Sequence, residues 1–171
     1  MRKLLVTAFL AGTITRVAHG ADLNVSVEIP RLDVAEYHRP YVAIWIENAD
    51  QSAAADLAVW YDVAKRNHEG EQWLKDLRQW WRRSGRTQQF PIDGVSGATK
   101  PVGTHAVRLD GRSPALAALK PGKYAVVVEA AREVGGRELV RVPFEWPAQA
   151  PQRLAARGQH ELGAIAVDIA P

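Results

Sequence analysis

Past residue 20, apolar residues first recur at every second position. Leu23, Val25, Val27 and Ile29 alternate with polar neighbours and stop at Pro30, the pattern of a strand with one buried face. From Tyr41 to Glu47 both alternating sets are apolar, with Tyr41, Ala43 and Trp45 on one and Val42, Ile44 and Ile46 on the other. That predicts a central strand covered on both sides. Asp56 to Val63 gives a third, with Leu57, Val59, Tyr61 and Val63 in step and Trp60 opposite. The three together read as a β-meander.

The period then changes from two to 3.6, because Trp73, Leu74, Leu77, Trp80 and Trp81 share one helical stripe. A helix is predicted over about 71–83, stopped by Ser84 and Gly85. Its stripe either clamps on the core or offers an aromatic wall to a flat ligand. Strand signals resume at His105–Leu109, Ala125–Arg132, Glu138–Trp146 and Leu162–Ile169, with a short connection over 113–119 and a polar linker over 147–159. Gly135-Gly136 predicts a tight hairpin with positive φ at both glycines. The stretch LKPGKY, Leu119 to Tyr124, resembles a corner of immunoglobulin-like and transthyretin-like sandwiches in which the tyrosine hydroxyl bonds back to nearby backbone. The expected fold is mainly β: one antiparallel immunoglobulin-like or transthyretin-like β-sandwich over 21–171 with one inserted amphipathic helix.

The first residues change the reading of charge. Met1-Arg2-Lys3, the apolar run Leu4–Ile14 and Ala18-His19-Gly20 form an expected export signal cleaved after about Gly20, too short to span a bilayer. It carries Arg2, Lys3 and Arg16 and no acid, so its removal takes the formal charge from +3 to zero. The global case for a nucleic-acid or anionic-membrane partner disappears with it. The remaining cluster Arg78, Arg82, Arg83 and Arg86 reads as the solvated end of the helix. Glu129 and Glu133, with Arg132 and Arg137, read as exposed cross-strand pairs. With no cysteine, and with histidines too scattered for ligand spacing, thiol and local metal chemistry are not expected, and no hydrolase or phosphate-loop signature is present.

One loop, expected over 91–104, stands outside these periods. It contains DGVSGATKP, where Gly94, Gly97 and Ala98 put no bulk beside the hydroxyl of Thr99. No base is written next to Thr99, so a bond at its oxygen calls for a separate enzyme. Asp93, Ser96, Gly97, Ala98 and Thr99 fill every specified position of a pattern that resembles the flavinylation motif Asp-x-x-(Ser/Thr)-Gly-Ala-(Thr/Ser). The resemblance implies FMN joined through its phosphate to Thr99 by an exported, magnesium-dependent flavin transferase of the ApbE type. Asp93 then either orients the loop through Asx-type bonds or meets the transferase's metal. Ser96 supports. A longer succession, DGVSGATKPVGTH, LKPGKY and VEAAREVGGRE, resembles a predicted periplasmic family of unknown function (DUF2271-like) whose members are often encoded beside flavin transferases and PepSY-type membrane reductases.

The resemblance does not carry over the residues that hold the flavin ring. Chemistry offers candidates: Trp80, Trp81 and Phe90 upstream as an aromatic face, and Lys100, His105 and Arg108 downstream as cations near the phosphate or the ring. The expected function is a periplasmic FMN-carrying module relaying electrons between a PepSY-type membrane partner and an acceptor such as a ferric complex, without stable membrane insertion. A non-redox binding module of the same fold is the alternative. A hydrolase or lyase built on the tryptophan helix and His105 ranks lower, as no acid–base pair is visible.

Overall fold

The computed structural model describes residues 20–171, so the expected leader lies outside the described residues except for Gly20. Among the described residues nine strands form two sheets: β1 Asp22–Ile29, β2 Tyr41–Asn48, β3 Ala53–Tyr61, β4 Ser96–Ala98, β5 Gly103–Leu109, β6 Gly122–Ala131, β7 Arg137–Trp146, β8 Gln152–Arg157 and β9 Ala164–Ala170. The smaller sheet has the order β5-β1-β9-β8, the larger β4-β3-β2-β6-β7. Residues of both contribute to one buried cluster, including Val25, Val27, Ile165 and Val167 from the first and Val42, Ile44, Val126 and Val128 from the second. The molecule is therefore mainly β, two sheets packed across a shared core.

β1 pairs with β5 and β9 and not with β2, so the expected three-strand meander is reduced to the β2–β3 hairpin. Local alternation marks a strand as half-buried; it cannot say which neighbour covers it. The two-faced pattern of β2 holds. Val42, Ile44 and Ile46 face the inter-sheet core. Tyr41, Ala43 and Trp45 face a second core with Val59, Tyr61, Leu74, Leu77, Trp80 and Val127. Leu57 leaves its predicted register: the β2–β3 pairing shifts between Ile44 and Trp45, and this bulge turns Leu57 into the inter-sheet core beside Ala58.

The predicted single helix over 71–83 is two pieces. A run of 3-10 turns spans Arg66–Asp76, with Asn67 and His68 in the left-handed region, and a short α1 spans Arg78–Arg83. Leu74 and Trp80 of the two pieces are buried, as is Leu77 between them, while Trp73 is 48% exposed. The break separates the tryptophans that a continuous helix would align. A second short helix, α2 Pro114–Ala117, occupies the expected connection after β5.

Two strands lie where loop was expected. β8, inside the polar 147–159 stretch, is an edge strand paired with β9 from Gln152↔Ile169 to Arg157↔Ala164. As an edge strand it exposes alternate residues, and that polar half hid its pattern. β4 pairs in parallel with the end of β3, Val59↔Ser96 to Tyr61↔Ala98.

The tight turn between β6 and β7 also departs from expectation. Positive φ falls on exposed Val134, at 50°, and on neither glycine. The glycines serve close approach instead. A Cβ on Gly135 would collide with the Arg132 guanidinium, and one on Gly136 would press on the Glu161 carboxylate. The predicted corner is present, with Tyr124 Oη donating to Lys120 O at 2.8 Å.

Candidate functional site

The motif loop is built from its own backbone upward. Gly94 takes φ +68°, a conformation that disfavours any side chain with a Cβ. The chain then turns back: Val95 N–H and Ser96 N–H both donate to Ile92 O, at 3.2 and 2.9 Å. Ser96 Oγ accepts from Ile92 N–H at 2.9 Å. The serine hydroxyl thus helps close the turn. Val59 N–H donates to Val95 O, and Thr99 N–H to Tyr61 O at 3.2 Å, so both ends of β4 are sewn to β3. Thr99 is held at the sheet edge, half-buried, immediately beyond the last rung. Asp93 is exposed and its carboxylate makes no hydrogen bond or ion pair among the described residues, so the expected Asx-type bonds are not formed. Gly97 has ordinary room above it, the nearest atom to a built Cβ being Trp60 Cδ1 at 3.5 Å.

Thr99 lines a cleft of about 510 Å³ at the end of the larger sheet. β2 starts there, β3 and β6 end there, and the 3-10 run Arg66–Asp76 closes one side. Its aromatic lining is Tyr37, Tyr41 and Trp73; its cations are Arg39, Lys65 and Arg132. Burial pushes the Tyr41 phenol up to about 12, and the hydroxyl donates to Gly70 O at 3.2 Å, fixing the 3-10 run to the sheet. Tyr37 is also raised, chiefly by burial, with Arg132 and Arg39 pulling it the other way. Lys65 is balanced by Asp62 at 3.8 Å, and His38 stands between Glu36 at 2.9 Å and Glu133 at 3.6 Å.

Arg132 is the unusual member. Its side chain is only 6% exposed, and Glu161 grips it through Nε–Oε2 at 2.8 Å and Nη2–Oε1 at 3.1 Å. Those hydrogen bonds hold it charged against the pull of burial. Arg132 Nη1 nevertheless has no hydrogen-bond partner. A buried N–H without an acceptor costs about 1–3 kcal/mol. The cleft's size falls within the roughly 300–1,000 Å³ of small-molecule sites, and Asp62, Asp76 and Glu133 line it beside its aromatic and cationic side chains.

The ring candidates named from sequence lie elsewhere. Trp81 and Phe90 stack on each other at 6.2 Å and 14°, and Trp80 meets both rings edgewise or tilted. Trp80 is fully buried, its Nε1 donating to Asp56 at 2.9 Å. These three cover the second core and none lines the cleft. Lys100 and His105 gather on Trp60 instead: Lys100 Nζ lies 5.4 Å from its ring centre, and the His105 ring meets its edge at 6.0 Å. His105 Nε2 is 2.7 Å from Pro101 O. Both stay beside the motif, and neither lines the cleft. Arg108 lines a separate groove with Asp22 and Asp168.

The expected exposed cross-strand pairs are corrected as well. Glu129 is fully buried and bonded to Arg137 at 2.8 Å, Arg132 pairs with Glu161, and Glu133 with His38. Sequence reasoning missed Tyr37, Arg39, Tyr41, Lys65, Trp73 and Arg132 as a site, since they come from four separate segments. The one local signal was the aromatic-cationic run Tyr37-His38-Arg39 in a stretch without period.

A family described as "Predicted periplasmic protein (DUF2271)" matches residues 22–164, and the chain belongs to it. No curated protein and no solved structure matches. Among the described residues no helix is long and apolar enough to cross a membrane.

Proposed function

We propose that this member of the predicted periplasmic family is an exported electron-transfer domain that carries FMN as a phosphoester on Thr99. The observation that carries the reading is the position of that hydroxyl. The last residue of DGVSGAT is pinned by β4 at the lip of a cleft with an aromatic lining and a buried cation that has an unused N–H. The two packed sheets and the Tyr124–Lys120 corner support an immunoglobulin-like sandwich as its frame.

Each part of the loop then has a task. Ser96 and Gly94 shape the turn, and β4 fixes the height of Thr99 above the cleft. Asp93, exposed and unpaired, remains available to an ApbE-type transferase and its magnesium ion. Thr99 Oγ takes the FMN phosphoryl group from a flavin dinucleotide donor: an oxygen–phosphorus ester forms, the pyrophosphate bond breaks, a nucleoside monophosphate leaves, and the hydroxyl proton passes to the transferase. Lys100, next in the chain and without an ion pair among the described residues, supplies positive charge near the ester. FMN, once attached, supplies reversible electron transfer, so the domain relays electrons without a substrate of its own. A membrane reductase of the PepSY type is the proposed donor or acceptor.

Co-expression with an exported flavin transferase tests the reading. Denatured protein is expected to fluoresce on a gel and to gain the mass of one FMN phosphoester. Thr99→Ala loses both, while Ser96→Ala keeps them in reduced yield. An unmodified mass in the unaltered protein refutes the proposal.

A further inference from the structure

Attachment at Thr99 fixes only the phosphate end of the cofactor. The ribityl chain leaves the ring free to swing in solvent or to settle on the protein. We infer that the ring is seated in the cleft lined by Tyr37, Trp73 and Arg132, and that Trp80, Trp81 and Phe90 take no part; this rests on flavinylation at Thr99.

Three independent features favour the cleft. Trp73 is the large aromatic that the broken helix leaves outward, 48% exposed, whereas its neighbours Leu74, Leu77 and Trp80 are buried. An exposed indole at the wall of a concave site loses water-exposed apolar area when a flat ring covers it, and gains stacking on the order of 1 kcal/mol. Tyr37, 37% exposed, presents a second aromatic side chain to the same cleft. Arg132 adds positive charge. Its guanidinium cannot turn away, because Glu161 holds two of its nitrogens and the open space above Gly135 accommodates it. The nitrogen left over is buried, so the guanidinium acts on the cleft through its charge. The fixed positive charge at the cleft wall favours an isoalloxazine that gains negative charge on reduction. Arg132 is thus a positioning and tuning residue that stabilises the reduced ring.

The alternative seat fails on accessibility. Trp81 and Phe90 each give one face to the other and neither lines the cleft, and Trp80 has no exposed surface to offer.

The test uses full-length protein flavinylated by the transferase, with intact mass read first and every optical signal divided by flavin absorbance. In the unaltered protein, native flavin emission is expected to be quenched several-fold relative to the denatured sample, and its anisotropy to report tumbling of the whole domain. Trp73→Ala, an exposed position where folding is not at risk, should raise emission several-fold and lower anisotropy at unchanged mass. Trp81→Ala should alter neither. Arg132→Lys, which keeps the charge but loses the fork held by Glu161, should lower the flavin midpoint potential. A far-ultraviolet spectrum confirms that its fold is retained, and the Trp73→Ala result stands by itself if it is not. An unmodified mass overturns this inference together with the flavin reading. FMN-bearing mass with emission and anisotropy indifferent to Trp73→Ala, or responsive to Trp81→Ala, overturns the seat alone.

Discussion

Truncation of Glu129 measures how the helical layer above the second core is tied to the sheet. The carboxylate stands on β6, fully buried, and accepts Gln79 N–H at 3.1 and 3.0 Å and Trp80 N–H at 2.8 Å, while Arg137 donates at 2.8 Å. Those two amides belong to the first turn of α1 and have no partner within a helix of six residues. Glu129→Ala leaves both amides without an acceptor, at about 1–3 kcal/mol each, and opens a small void. Arg137 is 37% exposed and regains water, so its share of the loss is small. The expected total is about 3–5 kcal/mol, as for breaking a buried charged pair from one side. At roughly 2–4 °C per kcal/mol for a domain of this size, Tm falls by about 6–20 °C. Glu129→Gln keeps the shape and one acceptor oxygen, and should fall by about half as much. Melting followed by circular dichroism, with the near-ultraviolet tryptophan band as a second probe, reads both variants. A drop in Tm below about 2 °C for Glu129→Ala would show that water replaces the carboxylate and that α1 is anchored by its apolar residues alone.

Two further outcomes follow from the geometry. Burial raises the Glu138 carboxyl, but the four backbone N–H groups it accepts, from Gln159 to Leu162, outweigh that and leave it below its ordinary 4.5. Its stabilisation is therefore complete above that value and is lost as pH falls through the lower folded value; Glu138→Gln should flatten Tm against pH in that acid window and leave the slope above pH 6 about unchanged. Gly94→Ala, at φ +68°, should cost about 1–2 kcal/mol and cut the rate of FMN attachment without abolishing it, read by intact mass over a time course; an unaltered rate would show that the turn does not present Thr99.

How much was legible beforehand varies with the kind of signal. The alternation in 23–29, 41–47 and 138–146 marks strands that the structure contains almost residue for residue. DGVSGAT and LKPGKY are contiguous, so their local geometry is written in one place: Ser96 closes the turn and Tyr124 closes the corner. The helix over 71–83 was misread because a stripe of Trp73, Leu74, Leu77, Trp80 and Trp81 fits period 3.6 whether or not the backbone stays helical. Here Glu129 and Asp56 each seize part of it, through the α1 amides and Trp80 Nε1, and Tyr41 holds Gly70 O just ahead of it. Tertiary bonds outweighed a helix too short to insist on its own geometry.

The sequence by itself determined the strands with strong two-residue period, the two-sided burial of β2 and the hydroxyl to test, because each depends on neighbours in the chain. Only the tertiary structure decided that β1 joins the other sheet, that β4 and β8 are strands at all, and that Trp73 points outward while Trp80 turns in. It alone brought Tyr37, Arg132 and Thr99, from segments far apart, around one cleft. Hydrophobic period specifies which side of a strand is dry and leaves its partner open. A site assembled across sheet ends has no period, so it exists only once the sheets have paired.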